Sequence, residues 1–250
     1  MIELRNVRKA FGRQVVLDGV DFEVRSGETV ALLGPSGTGK SVLLKHIVGL
    51  LMPDSGDVIV DGLSVPRLPR RELTKLRTKI GYAFQMGALF DSMSVYENIR
   101  LGITEEEQFR DKAYCDQRVA EVLHLVNLMP DVAKKMPAAL SGGMKKRVGI
   151  ARAIAGKPSY LLYDEPTSGL DPVNADAMDA LIEQLQHELK VTSVVVSHDV
   201  RGSFKVADRI ALLHHGKIRK VGTAEEFVNA KDEVVREFLD RDFQLLESEN

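Results

Sequence analysis

The strongest constraint on the fold of this chain is a glycine-rich segment of eight residues between a predicted strand and a predicted helix. Its residues are Gly34, Pro35, Ser36, Gly37, Thr38, Gly39, Lys40 and Ser41. A strand is predicted at 28–33 before it, and apolar residues at helical spacing follow it. Glycines allow a loop to wrap around phosphate oxygens, and a helix N-terminus adds positive potential. The segment therefore predicts an ATP-phosphate site, with Lys40 on the β- and γ-phosphates and Ser41 on Mg²⁺.

A second candidate site is the pair of carboxylates Asp164 and Glu165, which follows the apolar run at 160–163. Adjacent side chains at the end of a buried strand project in different directions. Asp164 can then hold the metal, while Glu165 faces the γ-phosphate and polarises the attacking water as general base. An acidic pair after an apolar run is otherwise more often a helix N-terminal charge pair. The phosphate loop earlier in the chain favours the catalytic interpretation.

The segment at 140–144 resembles the signature sequence of ABC ATPases. Its residues are Leu140, Ser141, Gly142, Gly143 and Met144. The family usually has glutamine at the fifth position, so Met144 is a departure that bears on the subfamily. Ser141, Gly142 and Gly143 open a helix predicted at 144–155, so their amides and hydroxyl would form a second anion-binding cup. The alternative is an ordinary helix cap.

Four further residues match the motifs of this family, and the resemblance covers nearly all of the chain. Phe11 lies where the family stacks an aromatic ring on adenine, although a lone phenylalanine is otherwise a core residue. Gln85, after the strand predicted at 80–84, resembles the glutamine that touches Mg²⁺ and water and connects to the membrane partner. Asp171 ends a segment that resembles the loop crossing the dimer interface. His198 resembles the switch histidine that senses the γ-phosphate.

Short apolar runs at 160–163, 193–197 and 209–213 alternate with helical segments, which predicts an α/β fold with a parallel sheet covered by helices. The resemblance implies a P-loop NTPase core with a mainly parallel sheet, an N-terminal antiparallel β subdomain and an inserted α-helical lobe. We expect one ABC ATPase domain over residues 1–250. Its core would cover about 1–84 and 157–222, its helical subdomain about 85–156, and its helical tail 223–250.

Two helix starts are predicted from local sequence. Thr104 and Glu107 have the spacing of a capping box at the start of a helical stretch at 104–128. Thr223 would cap the first helix of the tail. The tail is interpreted as a structural appendage, and a specific docking element is the alternative.

Composition says little about binding partners. The formal net charge of -2 gives no overall electrostatic attraction to nucleic acid. Cys115 is the single cysteine, which favours a reducing compartment and a half-buried helix position. The first residues do not resemble a signal peptide, and no apolar run approaches the roughly 20 residues that span a bilayer. We expect a cytoplasmic protein that reaches the membrane through a partner.

The resemblance implies that the chain pairs with a second copy of itself. One copy has one phosphate loop and one signature segment, which in the family lie on separate lobes facing opposite ways. A two-fold axis would let Ser141–Gly143 of one copy complete the ATP site at Lys40 of the other. ATP and Mg²⁺ are therefore the expected cofactors, and opening of the dimer after hydrolysis would drive transport.

Three stretches most resemble the ATPases of phospholipid-trafficking systems of the Mla/Mce type. They are 84–92, Met144 with the following residues 145–148, and 198–208. This implies transmembrane permease subunits, an indirectly bound lipid-binding MCE-type component, and a place on the cytoplasmic face of the inner (plasma) membrane. The surface at 87–90 is either an apolar groove for a permease helix or ordinary packing within the lobe.

Other functions remain open at this point. The cassettes of polar amino-acid importers and of efflux systems share every catalytic motif. Soluble ABC proteins of translation or DNA repair generally carry two cassettes or a long coiled coil, and this sequence has neither. A small-molecule kinase with a phosphate loop would lack the signature segment.

Overall fold

The computed structural model describes the backbone of residues 1–247 and the side chains of residues 1–240. These residues divide into two compact units, one made of Met1–Leu73 with the segment that begins at Thr192, and one made of Thr74–Val191. The last residues of the predicted tail, 248–250, lie outside the described part of the chain. No helix within residues 1–247 is long and apolar enough to cross a membrane.

The regular elements are numbered here in chain order. The strands are β1 (Ile2–Phe11), β2 (Gln14–Val24), β3 (Thr29–Leu33), β4 (Ser55–Val60), β5 (Leu63–Ser64), β6 (Ile80–Ala83), β7 (Tyr160–Asp164), β8 (Thr192–Val196), β9 (Arg209–His214) and β10 (Lys217–Gly222). The helices are α1 (Lys40–Ile47), α2 (Arg70–Thr78), α3 (Val95–Arg100), α4 (Glu106–Arg110), α5 (Lys112–Leu125), α6 (Gly142–Ala155), α7 (Pro172–Leu189), α8 (Val200–Val206), α9 (Ala224–Val228) and α10 (Glu233–Glu247).

The first unit contains an antiparallel sheet with the strand order β2-β1-β4-β5. Strands β1 and β2 pair from Ile2 opposite Val24 to Phe11 opposite Gln14, around a tight turn. The register of this pair shifts after Leu4, where Asn6 has a φ of 47°. Phe11 lies at the end of β1, next to the hairpin turn.

The same unit contains a second sheet, in which β3 pairs in parallel with β8 on one side and with β9 on the other. Strand β10 adds an antiparallel edge beside β9. Every residue of β3 and β8 is buried, as expected for strands covered on both faces. Because parallel strands end at the same edge of a sheet, the glycine-rich loop after β3 and His198 after β8 follow neighbouring strand ends.

The tail helices pack on this second sheet as far as Leu239. Phe227 in α9 and Val235 in α10 are fully buried in a cluster with Leu33 and Leu212. Thr223 forms the predicted cap as part of a full capping box with Glu226. The described tail is therefore part of the hydrophobic core of its unit.

The second unit contains the parallel pair β6 and β7, with Ile80 opposite Tyr160, together with helices α3 to α7. The buried guanidinium of Arg118 in α5 donates hydrogen bonds to the Ile154 and Ala155 carbonyls at the end of α6. These bonds satisfy carbonyl groups that a helix end leaves without partners.

Two local predictions in this unit are wrong. The stretch at 104–128 is two helices, which meet at Asp111, and the α4 N-cap is Glu105 without a side-chain cap bond. Glu107 is thus the second helical residue rather than the third, so Thr104 and Glu107 form no capping box. Cys115 is fully buried rather than half-buried, and its Sγ lies 3.4 Å from the Gln108 carbonyl oxygen.

Candidate functional site

The glycine-rich loop is held tightly between neighbouring backbone segments of the first unit. A Cβ atom at Gly34 would lie 2.3 Å from the Leu213 carbonyl oxygen, and one at Gly39 would lie 2.7 Å from Val16 Cγ1. Gly39 also has a φ of 103° as the N-cap of α1, a backbone conformation that favours glycine. The loop thus depends on glycine where it leaves β3 and where it enters α1.

Between these two glycines the loop is open to solvent. Pro35, Ser36 and Gly37 are exposed, and Thr38 is half-buried with its hydroxyl donating to the Pro35 carbonyl at 2.8 Å. This hydrogen bond stabilises the turn within the loop. The exposed stretch leaves room for a ligand beside the N-terminus of α1.

Lys40 begins α1 and is only 5% exposed. Its Nζ donates to the Gly34 carbonyl at 2.7 Å and to the Pro35 carbonyl at 3.2 Å, so the ammonium lies under the loop. The first turn of α1 holds no acidic residue, which leaves the helix N-terminus and the ammonium as a concentrated positive field. Half-buried Ser41 follows directly. This arrangement suits a polyphosphate anion.

Two other predicted site residues belong to the same unit. Phe11 is 47% exposed, with Lys9 Nζ 5.6 Å from its ring centroid, so it is not a core residue. His198 is exposed just after β8. The Ser197 amide before it bonds to the Leu32 carbonyl of β3, and the Asp199 amide after it donates to Ser197 Oγ at 2.9 Å. The backbone on both sides of His198 is therefore fixed near the end of β3.

The acidic pair lies at the end of β7 in the second unit. Asp164 is 7% exposed, and Tyr82 of β6 donates its hydroxyl proton to Asp164 Oδ2 at 2.9 Å. Burial, followed by the charge of Asp164, raises the pKa of Tyr82, so this hydroxyl stays protonated and remains a donor. The hydroxyl of Tyr82 is thus a neutral hydrogen-bond donor to the Asp164 carboxylate.

Glu165 follows with a φ of 52°, in the left-handed region that side chains rarely adopt. Its carbonyl oxygen accepts a hydrogen bond from the Ser168 amide at 3.3 Å and another from Lys146 Nζ at 3.1 Å. The turn directs the chain away from β7 immediately after Asp164. Asp164 and Glu165 therefore differ in backbone conformation, and the separate roles of their carboxylates stay predictions.

Gln85 lies just beyond the end of β6 and is exposed. Its Nε2 donates to Ser168 Oγ at 3.2 Å, which joins the glutamine to the loop after the acidic pair. Asp171 ends that loop as the N-cap of α7 and accepts from the Asn174 amide and from Asn174 Nδ2, and these bonds lower the pKa of Asp171. Its observed contacts are those of a helix cap.

The signature segment opens α6, which begins at Gly142 rather than at the predicted residue 144. Ser141 is the N-cap and accepts from the Met144 amide at 3.3 Å. Ser141 and Gly142 are exposed, Gly143 is half-exposed, and the first turn of α6 has no acidic residue. A cap and an open anion cup are compatible here, because one cap bond leaves other first-turn amides without helical partners.

Sequence reasoning missed three polar groups around these residues. Tyr82 holds Asp164, Lys146 contacts Glu165, and Arg152 of α6 donates to the Gly87 and Ala88 carbonyls at 2.8 Å each. Helical spacing could have revealed Lys146, since it shares a face of α6 with the buried Ile150 and Ile154. The contacts of Tyr82 and Arg152 carry no comparable local signal.

Residues 17–168, which are more than half of the chain, match the sequence pattern of the ABC transporter family. The chain belongs to the ABC transporter family. It is an ATP-binding subunit of this class and an ATPase. The α/β P-loop NTPase fold predicted from sequence is confirmed by solved ABC cassettes.

Curated relatives of this ABC transporter subunit carry several names. It is 38% identical over 239 residues to the Haemophilus influenzae "Intermembrane phospholipid transport system ATP-binding protein MlaF", covering 96% of this chain and 90% of that protein. It is 39% identical over 238 residues to the Mycobacterium leprae "Probable ribonucleotide transport ATP-binding protein mkl", covering 95% and 68%. It is 40% identical over 247 residues to the Carboxydothermus hydrogenoformans "Methionine import ATP-binding protein MetN", covering 96% and 71%.

A solved relative of this ABC transporter subunit is the ATP-binding cassette MJ0796, in a dimeric post-hydrolysis state bound to ADP and Pi. The two chains are 33% identical, with a TM-score of 0.81, and the match covers 90% of this chain and 99% of that one. At this identity the likeness extends beyond the fold to the class of ATPase.

Proposed function

We propose that this subunit drives phospholipid trafficking between membranes, as the ATPase of an Mla/Mce-like transporter. The observation that carries the proposal is the 38% sequence identity between this subunit and the phospholipid transport protein MlaF, in a match that covers 90% of that relative. Met144 in the signature segment, with the basic residues 145–147 after it, supports the same subfamily.

The alternative is the ATPase of a polar amino-acid importer or of an efflux system. The similarity to the methionine import protein favours an importer, because its identity is comparable to that of MlaF. The ATPase does not touch the cargo, so its own catalytic residues cannot distinguish these functions. A soluble ABC protein without a transport role is the weakest candidate.

In the proposed hydrolysis, Lys40 and the loop amides bind the β- and γ-phosphates, and Phe11 stacks on adenine. Oxygen donors of Ser41, Gln85 and Asp164 fit Mg²⁺, a hard cation that binds one or two carboxylates together with substrate phosphates. When held by these residues, Mg²⁺ would neutralise negative charge that develops on the phosphates. Glu165 accepts a proton from the attacking water. At the same time the water oxygen forms a bond to the γ-phosphorus, and the bond between that phosphorus and the ADP oxygen breaks. His198 donates to the γ-phosphate.

The proposal includes a homodimer with ATP at its interface. The anion cup of Ser141, Gly142 and Gly143 would complete the nucleotide site of a second copy, and the loop ending at Asp171 would cross the interface. Two features support this: the exposed, acid-free start of α6, and the dimeric ADP and Pi-bound state of a relative.

The proposed permease contact is the segment after β6. Phe84, Met86 and Phe90 are 38%, 78% and 53% exposed, whereas Gly87 between them is buried against α6. Within the predicted surface at 87–90, Gly87 packs within the lobe, while the exposed Phe90 presents apolar surface that supports the permease contact. The permease would hold the subunit on the cytoplasmic face of the inner membrane, with an MCE-type component bound indirectly.

Purification of the intact complex from native membranes tests this proposal. Co-purifying permease subunits and bound phospholipid, identified by mass spectrometry, are the expected result. A matched preparation with Met86→Asp and Phe90→Asp should lose the permease while retaining the ATP affinity of the subunit. A complex that contains a soluble amino-acid-binding protein and no phospholipid would favour the importer.

A further inference from the structure

Lys146 is a buried cation for which the hydrolysis mechanism above has no use. It lies in the second turn of α6 and is 7% exposed, although lysine almost never occupies a buried position without a partner. Burial lowers the pKa of Lys146, and the negative charge of Glu165 opposes that shift. A buried ammonium is retained at a cost in stability, which calls for a specific contact that a neutral side chain would not provide.

The contact of this ammonium is the backbone of Glu165. Lys146 Nζ donates to the Glu165 carbonyl oxygen at 3.1 Å, and the Ser168 amide donates to the same oxygen at 3.3 Å. A hydrogen bond with a charged donor is roughly twice as strong as a neutral one. Lys146 is therefore the stronger of these two restraints on the carbonyl.

The restrained residue has an unfavourable backbone conformation. The φ of 52° at Glu165 is in the left-handed region, which costs on the order of 1 kcal/mol or more for residues other than glycine. Such a conformation persists only where its surroundings hold it. The direction of the Glu165 side chain depends on that backbone conformation, so a group that fixes the carbonyl also fixes where the carboxylate points.

We propose that Lys146 is the positioning residue of the general base, holding the Glu165 backbone so that the carboxylate is directed toward the attacking water. The inference rests on the proposed role of Glu165. Lys146 acts through Glu165 alone and contributes nothing to nucleotide binding. A small misplacement of a reacting group lowers the rate of chemistry strongly, while ground-state affinity is unaffected.

The test compares Lys146→Met, Lys146→Arg and the control Lys145→Met in the purified full chain. Lys145 is the adjacent lysine of the same helix, so the control makes the same substitution one position away. We expect Lys146→Met to lower kcat for ATP hydrolysis by about tenfold with KM within about twofold, as for lost positioning. Lys146→Arg, which keeps a charged donor, should restore most of kcat, and Lys145→Met should match the unmodified protein.

A double-mutant cycle then shows whether Lys146 acts through Glu165. In a Glu165→Ala background, single-turnover hydrolysis should be slow and insensitive to Lys146→Met, because the positioned group is gone. A further loss in that background would overturn the inference, as would an unchanged kcat in Lys146→Met or an equal loss in Lys145→Met. Should Lys146→Met fail to fold, Lys146→Gln takes its place with the same expected pattern.

These outcomes separate the inference from the proposed function. If Glu165→Gln hydrolyses ATP at the unmodified rate, the proposed role of Glu165 is wrong. If Glu165→Gln is inactive while Lys146→Met keeps full kcat, only the positioning role of Lys146 is wrong.

Discussion

Lys40 shows how one buried charge can organise a binding loop. Its ammonium lies under the loop, bonded to the Gly34 and Pro35 carbonyls, and it is almost fully removed from water. A cation in such a place interacts strongly with an anion that enters the loop, because little solvent screens it. The loop carbonyls hold the charge in position before nucleotide arrives.

Replacing Lys40 with alanine should weaken ATP binding by at least about tenfold, since a charge-assisted hydrogen bond contributes about 1.5–3 kcal/mol. Titration calorimetry with ATP and Mg²⁺ measures the affinity. Lys45→Ala, at the other end of α1, is the matched control and should leave affinity unchanged. An unchanged Kd in Lys40→Ala would show that the loop binds something else.

Tyr82 donates a hydrogen bond of 2.9 Å to Asp164, the candidate metal ligand. Tyr82→Phe removes this donor and leaves a buried carboxylate oxygen less satisfied. The free energy of unfolding should fall by about 1–3 kcal/mol, the typical cost of an unsatisfied buried group. Urea denaturation measures it, and the half-buried Tyr114 offers a Tyr→Phe control that should change little. Equal stability of Tyr82→Phe and the unmodified protein would remove this contact from the account.

At the scale of elements, strands with continuous or alternating burial were predictable. Strands β3, β7 and β8 are buried throughout and appear as apolar runs, so their ends and the motifs after them followed from sequence. Strand β1 extends to Phe11 although its alternation is interrupted near Asn6 by a register shift, a tertiary feature that no local pattern indicates.

The two-residue strand β5 and two longer strands escaped prediction, the longer two for physical reasons. β4 contains Gly56, where a Cβ atom would lie 2.3 Å from the Asn6 carbonyl oxygen, so close packing with β1 determines the residue rather than strand propensity. β10 is an edge strand with three basic residues, and polar edge strands carry a weak apolar signal. Likewise, Tyr82 and Asp164 meet only because β6 and β7 are neighbours.

Helix α9 is predicted to stabilise its unit through Phe227, whose ring is fully buried against the second sheet. Phe227→Ala should lower the free energy of unfolding by about 3–5 kcal/mol, the usual effect of deleting a buried aromatic ring. Val228 is next in sequence and 61% exposed, so Val228→Ala should change stability by less than about 0.5 kcal/mol. Thermal or urea unfolding checks both. A small effect of Phe227→Ala would mean that the tail is dispensable for folding.

At the scale of the whole molecule, one chain holds one phosphate loop and one signature segment. The exposed start of α6 has the properties of an anion site. Within one chain, the side-chain contact observed there is the cap bond from the Met144 amide to Ser141. In the proposed homodimer, pairing between copies would give both features a common ligand. The catalytic motifs and their order could be predicted from sequence, whereas the restraints on Asp164 and Glu165 required the fold.

The most direct measurement is the oligomeric state of the Glu165→Gln protein by analytical ultracentrifugation, with and without saturating ATP and Mg²⁺. Slow hydrolysis should leave ATP in place, so the account predicts a dimer with ATP and a monomer without it. Adding Gly142→Asp should prevent pairing, since its Cβ fits without a clash while its charge repels phosphate. A Glu165→Gln protein that binds ATP and stays monomeric, or dimerises equally with Gly142→Asp, would contradict a nucleotide shared between two copies.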